Sequence, residues 1–236
     1  MASTPTVLLD CDGVIVDNRE FEQRVTSIVI ENLAGKARIS RGEAAALWKK
    51  ELQATKGSPR WYDYTYHCNR LGLNGDALVM AAHEDARDSI RSVPGASETL
   101  ALFDQLGLAV SIVTDATRWV VDFKLKALEI DPPFSIFASS DAGATKATAN
   151  YWKKLVELQP GLRPMMFVDN RQVNLISAHG LFPKVSLVRF AMDEHVTTLS
   201  RSVAPRSESA ANTTVITVTN HRQLRSWFRN YLPELV

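Results

Sequence analysis

The chain has 236 residues, 45% hydrophobic and 22% charged, with a formal net charge of +1. That is the composition of an ordinary globular protein, long enough for one α/β domain or a core with a small inserted domain. It excludes a basic field for nucleic acid, and no apolar run reaches the roughly 18–20 residues of a membrane span.

The opening, Met1-Ala2-Ser3-Thr4-Pro5, has no charged n-region and no apolar h-region. The two cysteines, Cys11 and Cys68, form no CxxC pair, so a reduced, cytoplasmic protein without disulfides is expected. The first predicted strand runs from Thr6 to Leu9 and stops at the turn Asp10-Cys11-Asp12-Gly13. Residues 18–90 then read as helices only. Phe21, Val25, Ile28, Val29 and Leu33 recur at helical spacing. Ser40-Arg41-Gly42-Glu43 has the form of a capping box. Further helical stretches are predicted over Trp61–Leu71 and Asp76–Ile90, with Asn74-Gly75 between them. Val93-Pro94-Gly95 closes this insertion, and a helix over Ala96–Leu106 resumes the alternation. Leu108 to Val113 forms the next strand, stopping at Thr114, and a helix follows from Arg118 to Leu128. Another helix spans Ala147–Leu158. Pro164 to Val168 leads to Asp169, and strands at Val185–Val188 and Thr214–Val218 complete the pattern. The polar stretch 191–213 is expected to be a long mobile surface loop.

Strands alternating with helices predict an α/β fold, a Rossmann-like parallel sheet covered on both faces. The expected division is a core of residues 1–17 and 91–236 with an inserted all-helical cap at 18–90. Ligands of such sheets bind at the carboxyl ends of the strands, so Asp10, Asp12, Thr114 and Asp169 are predicted to converge.

Two carboxylates at i and i+2 after a strand can serve one ligand. One can attack a phosphorus atom and form an aspartyl-phosphate, while the other handles protons. The same Asp-x-Asp-Gly pattern also suits a plain turn. Thr114, followed by Asp115, offers a hydroxyl and backbone N–H groups at a helix start, which suit either phosphate or simple capping. Lys146, in Asp141-Ala142-Gly143-Ala144-Thr145-Lys146, can neutralise two anions brought together. Asp169 can complete an oxygen-ligand site for Mg²⁺. Cys11 is directed away from the ligand by the alternation. His67 and Cys68 read as packing or surface residues, and His179-Gly180 as a helix end. Asp193, Glu194 and His195 read as solvated loop. Arg60-Trp61-Tyr62-Asp63-Tyr64 combines a guanidinium with aromatic walls, which fits either an anionic or ring-bearing leaving group, held by Arg60, Trp61 and Tyr64, or an aromatic core of the insertion.

Four segments in order carry a family resemblance. Asp10-Cys11-Asp12-Gly13-Val14-Ile15-Val16-Asp17 resembles the first motif of the haloacid-dehalogenase-like hydrolase superfamily. Val93-Pro94-Gly95 through Val113-Thr114 resembles its second, Asp141 to Lys146 its lysine motif, and Phe167-Val168-Asp169-Asn170-Arg171-Gln172-Val173-Asn174 its acidic fourth motif. The insertion after the first strand is similar to the small helical cap of subfamily I. The resemblance implies Asp10 as nucleophile and Mg²⁺ ligand. Asp12 would be acid/base, with its backbone carbonyl on the metal. Thr114 would bind phosphate, Lys146 would stabilise charge, and Asp169 with its neighbour Asn170 would hold Mg²⁺. Carbon–halogen hydrolases of the superfamily lack an acid at the position of Asp12, so phosphoryl chemistry on a small phosphorylated metabolite is implied. Many relatives carry a second acid where this chain has Asn170, which lowers the charge of the metal site. Phosphomonoester hydrolysis is the expected function. A phosphomutase or phosphotransferase using the same intermediate, and a catalytically weak binding or regulatory protein, are the alternatives. Oligomeric state is not legible here.

Overall fold

The structure is a computed structural model that describes residues 4–130, 134–192, 200–203 and 214–235. Strand β1 (Pro5–Leu9) leads to a two-residue strand β2 (Val16–Asp17) and helices α1 (Arg19–Ala37), α2 (Arg41–Gln53), α3 (Tyr64–Arg70) and α4 (Gly75–Ala86). The chain returns through β3 (Arg91–Ser92) to α5 (Ala96–Gln105), β4 (Ala109–Thr114), α6 (Arg118–Ala127), β5 (Ser135–Ala138), α7 (Ser139–Ala142) and α8 (Ala149–Leu158). It closes with β6 (Arg163–Asp169), α9 (Gln172–His179), β7 (Ser186–Phe190), β8 (Ser200–Val203), β9 (Thr214–Val218) and α10 (His221–Leu235).

Seven strands form one sheet in the order β5-β4-β1-β6-β7-β9-β8. All neighbours are parallel except β8, which runs antiparallel to β9. The predicted α/β class therefore holds. Burial follows the two-residue period of a strand. Val7 and Leu9 enter one apolar cluster and Leu8 the cluster on the opposite face. Cys11 continues the Val7–Leu9 side and is fully buried there, so burial first, then the Asp12 carboxylate, pushes its thiol well above normal. A third cluster, built on Val29, Leu33, Trp48, Cys68 and Val79, lies within the helical insertion. Its second helix starts on the expected capping box: Ser40 accepts from the Glu43 N–H and the Glu43 carboxylate accepts from the Ser40 N–H. His67 and Cys68 are buried, and His179 ends α9 before Gly180.

Two expectations change. Strand β5 was not anticipated; it exists because β4 offers it a parallel edge from Ser111 to Thr114. The stretch 191–213 is not wholly loop, since Ser200–Val203 pairs with β9 from Thr217 back to Thr214. A polar sequence gains strand character when a neighbour supplies its hydrogen bonds. Asp193, Glu194 and His195 lie outside the described residues.

The chain enters and leaves the insertion through one short antiparallel ribbon, Val16 opposite Ser92 and Asp17 opposite Arg91, extended by Val93 N–H to the Ile15 carbonyl (2.9 Å). A segment near the other end of the chain braces the same loop. His221, buried at the start of α10, donates Nε2–H to the Val14 carbonyl at 2.7 Å, and its Nδ1 lies 3.0 Å from Thr99 Oγ1. Burial, then Arg225, holds its pKa below the ordinary 6.5. A depressed histidine leaves stability intact above the unfolded value and removes it as pH falls through the folded one. Burial likewise depresses His83. The wild type is therefore expected to lose thermal stability on acidification below about pH 6.5, and His221→Gln to lose less over that interval. Parallel melting curves for the two proteins from pH 7.5 to 5 check this; identical slopes would exclude His221 as a contributor.

Candidate active site

The central strands end together, and their terminal residues meet. Asp10 follows β1 and continues its ladder through an N–H bond to the Val168 carbonyl (2.9 Å). Thr114 ends β4 and Asp169 ends β6. All three are buried. Lys146, from the loop before α8, reaches both acids: its Nζ lies 2.6 Å from Asp10 Oδ1 and 2.7 Å from Asp169 Oδ2. Burial opposes charge on this lysine, yet Asp10, Asp169 and Asp115 hold its pKa well above normal. Burial also raises the Asp10 carboxyl, against the pull of Lys146 and with the help of Asp169 and Asp12. The resulting centre is a permanently charged ammonium shared by two carboxylates that are costly to leave without it.

Side chains that the sequence reading passed over hold this centre in place. Tyr151 and Trp152 of α8 are fully buried. The Tyr151 hydroxyl accepts from the Thr114 N–H (3.0 Å) and donates to the Phe137 carbonyl (2.6 Å). Trp152 Nε1 donates to the Lys146 carbonyl (2.8 Å). Asp115 is committed to the protein: its Oδ1 accepts from the Lys146 N–H (2.7 Å) and its Oδ2 lies 3.6 Å from Arg171. Asp169 accepts from the Arg171 N–H (2.7 Å) and from Asn174 Nδ2 (3.1 Å to each oxygen). The signal for Tyr151 and Trp152 was present only as two aromatics on the inner face of a helix, indistinguishable from core.

Asp12 sits two residues beyond Asp10, and its side chain points another way. Lys124 of α6, fully buried, places Nζ 2.8 Å from Asp12 Oδ1 and 3.3 Å from Glu22 Oε1 of α1. Burial opposes its charge as well, but Asp12 and Glu22 raise its pKa. Glu22 in turn accepts from the Tyr64 hydroxyl (3.0 Å). Asp12, Glu22, Trp61, Tyr62, Tyr64 and His83 are among the residues lining a cavity of about 250 Å³. Trp61 and Tyr64 line this cavity, and Tyr64 also packs on Trp48 of the insertion's apolar cluster. Arg60 does not line this cavity: its guanidinium stacks on Tyr66, 4.7 Å from the ring centroid, and donates to the Tyr66 hydroxyl. A second tie joins insertion and sheet, from Arg171 Nη1 to the Tyr62 hydroxyl (2.7 Å).

Asn170 lies against the first loop. Its Nδ2 donates to the Asp12 carbonyl (3.1 Å), while its Oδ1 is buried without a hydrogen-bond partner. The approach is close enough to require glycine at position 13, where φ is +81° and a Cβ would fall 2.3 Å from Asn170 Nδ2. Among the described residues no group of three or more His, Cys, Asp or Glu side chains is placed to hold a metal ion. An oxygen set of the Asp10 and Asp169 carboxylates, the Asp12 backbone carbonyl and the orphaned Asn170 Oδ1 nevertheless fits a hard divalent cation.

Sheet order and site together define a Rossmann-type α/β protein with a lysine-centred acidic site at its strand ends and an inserted helical cap. The chain belongs to the haloacid dehalogenase-like hydrolase family, whose model matches residues 4–180. A glyceraldehyde 3-phosphate phosphatase of Pyrococcus abyssi is 28% identical over 157 residues, 64% of this chain and 66% of that protein, so the match spans just under two thirds of the relative's length. Among solved structures, a HAD phosphatase from Thermococcus onnurineus superposes with a TM-score of 0.73 at 19% identity, covering 95% of this chain and 97% of that one. The HAD-hydrolase YfnB of Bacillus subtilis, solved bound to magnesium, gives 0.61 at 15% identity, covering 96% and 99%. Among the described residues no helix is long and apolar enough to cross a membrane.

Proposed function

We propose that this protein is a Mg²⁺-dependent phosphomonoesterase acting on a small phosphorylated metabolite, with residues 1–17 and 91–236 as its core and 18–90 as the cap over the site. The carrying observation is the Lys146 ammonium held 2.6 and 2.7 Å from Asp10 and Asp169. A cation at that point lets an anionic carboxylate meet an anionic phosphoryl group. Asp10 attacks phosphorus and forms an aspartyl-phosphate as the ester oxygen leaves. Asp12 gives its proton to that oxygen, then takes one from the water that attacks the acyl-phosphate and releases inorganic phosphate. Thr114, its backbone pinned by Tyr151, presents the phosphate-binding hydroxyl. Asp10, Asp169, the Asp12 carbonyl and Asn170 would hold Mg²⁺, which supplies charge stabilisation to the transferring phosphoryl group. The curated relative's name and the cavity beside Asp12 support a small-metabolite phosphatase, and an acid at position 12 favours phosphoryl over carbon–halogen chemistry. Phosphate release across a metabolite panel, with and without Mg²⁺, tests this reading. Mg²⁺-dependent release is expected. Transfer to a second hydroxyl without release would establish a mutase instead, and no turnover in either condition would leave only a binding protein.

Asn170 makes the metal assignment testable without turnover. Asn170→Asp replaces the donor facing the Asp12 carbonyl by an acceptor and adds one negative charge. Metal-free protein is expected to lose about 1–3 kcal/mol, the cost of a broken buried hydrogen bond. Its gain in melting temperature per increment of Mg²⁺ should exceed that of the wild type, since a ligand stabilises by its affinity for the folded state. Equal Mg²⁺ midpoints in both proteins would remove Asn170 from the metal site.

A further inference from the structure

The cavity beside Asp12 has a charge of its own. Two of its lining side chains are carboxylates, Asp12 and Glu22, and no lysine or arginine is among its described lining residues. The cation that compensates them, Lys124, is fully buried in α6 and is not part of the cavity wall. Its ammonium has Asp12 at 2.8 Å and Glu22 at 3.3 Å as acceptors. The Phe21 ring closes its apolar side, 5.4 Å from Nζ. A lysine so enclosed holds the two side chains in place without offering an N–H to a ligand. Glu22 is fixed further by the Tyr64 hydroxyl at 3.0 Å, itself 2.8 Å from Thr26 Oγ1. His83 adds no positive charge at neutral pH: its Nδ1–H is spent on the Val79 carbonyl at 2.7 Å and burial keeps the ring neutral. The remaining walls named above are Trp61, Tyr62 and Tyr64, which offer ring faces and hydroxyls. The Arg60 guanidinium, the cation nearest in sequence to these aromatics, is engaged with Tyr66.

We propose that Glu22 is a specificity-determining residue which, with Asp12, admits a neutral or cationic, hydroxyl-bearing leaving group and rejects one that carries a second anionic group. This rests on the reading of Asp12 as the residue facing the leaving group. The phosphate itself is met at Lys146 and Thr114, outside this cavity wall, so one anion is neutralised at one end of the substrate and any further anion would meet carboxylates at the other. Like charges a few ångströms apart in a partly desolvated pocket repel strongly.

The test uses two phosphates with the same three-carbon skeleton, glycerol 3-phosphate and 3-phosphoglycerate, which differ by a hydroxymethyl group against a carboxylate. Wild-type kcat/KM should favour the neutral leaving group at least about tenfold, and Glu22→Gln should shrink that preference at least about fivefold while p-nitrophenyl phosphate changes less. Glutamine keeps an oxygen for Tyr64, so a purely structural role would move both substrates together and leave the ratio unchanged, which would overturn the proposal. The ratio is also read without turnover, from calorimetric dissociation constants of the two phosphates with the Asp10→Asn protein, with and without Glu22→Gln. If the wild type hydrolyses no phosphomonoester but the calorimetric preference appears and falls with Glu22→Gln, the phosphatase reading fails and the specificity assignment stands. Equal affinity for both phosphates, or affinity for neither, overturns it.

Discussion

Asp10→Asn is expected to abolish phosphate release, with a loss of at least about 10⁴-fold, the scale seen when a nucleophile is removed and only binding and electrostatics remain. The amide is a poor nucleophile and a poor ligand for a hard cation. The variant should fold, because the amide keeps one oxygen, and Oδ1 alone accepts from both the Cys11 N–H (2.8 Å) and Lys146 (2.6 Å). The neutral amide escapes the burial penalty and the repulsion from Asp169 that together raise Asp10, and Asp169 still pairs with the lysine at 2.7 Å. Thermal melting therefore separates loss of chemistry from loss of fold. In the wild type, beryllium or aluminium fluoride should be captured on Asp10 as an aspartyl-phosphate mimic. A mimic bound elsewhere, or an active Asn variant, would refute Asp10 as the nucleophile.

Lys146→Met should damage both stability and activity, and its stability loss is the larger one expected. Methionine fills the volume, but two buried carboxylates lose the cation between them. Removing one partner from a buried ionic pair costs about 3–5 kcal/mol, since the other is left unpaired. For a chain of this size that amounts to a melting temperature lower by about 10 °C. Adding Asp169→Asn should restore much of the loss, because it removes one of the stranded charges; phosphate release should not return. If Lys146→Met melts like the wild type, Lys146 is not the electrostatic centre of this site. If the double variant melts no higher than the single one, the loss comes from packing rather than charge.

What the sequence determined is the local chemistry of each segment. Short apolar runs ending in Asp10, Thr114 and Asp169 are legible because a buried parallel strand needs a continuous apolar stretch and its ligand-facing end needs a polar residue. The α/β alternation, the helical insertion and the Ser40–Glu43 capping box follow from periods and side-chain reach within a few residues. The convergence of Asp10, Thr114 and Asp169 was legible too, once their segments were taken as strand ends of one sheet; Asp12, expected with them, turns its side chain to Lys124 instead. Tertiary structure decided everything that depends on a partner distant in the chain. Lys124 carries no local signal of its role; Asp12 and Glu22, 112 and 102 residues away, supply its partners. Glu22 carries no local signal for the cavity it lines. Arg60 had an aromatic pair to choose from, and only packing turned it onto Tyr66 rather than toward the cavity. Ser135–Ala138 is too short to announce itself, and Ser200–Val203 is both short and polar; each became a strand because a neighbouring strand offered it an edge. Asn170, read as a metal residue with a missing charge, also bonds the Asp12 carbonyl, 158 residues away. Burial of a charge and choice of a hydrogen-bond partner are properties of the assembled surroundings. They cannot be read from the residue that carries them.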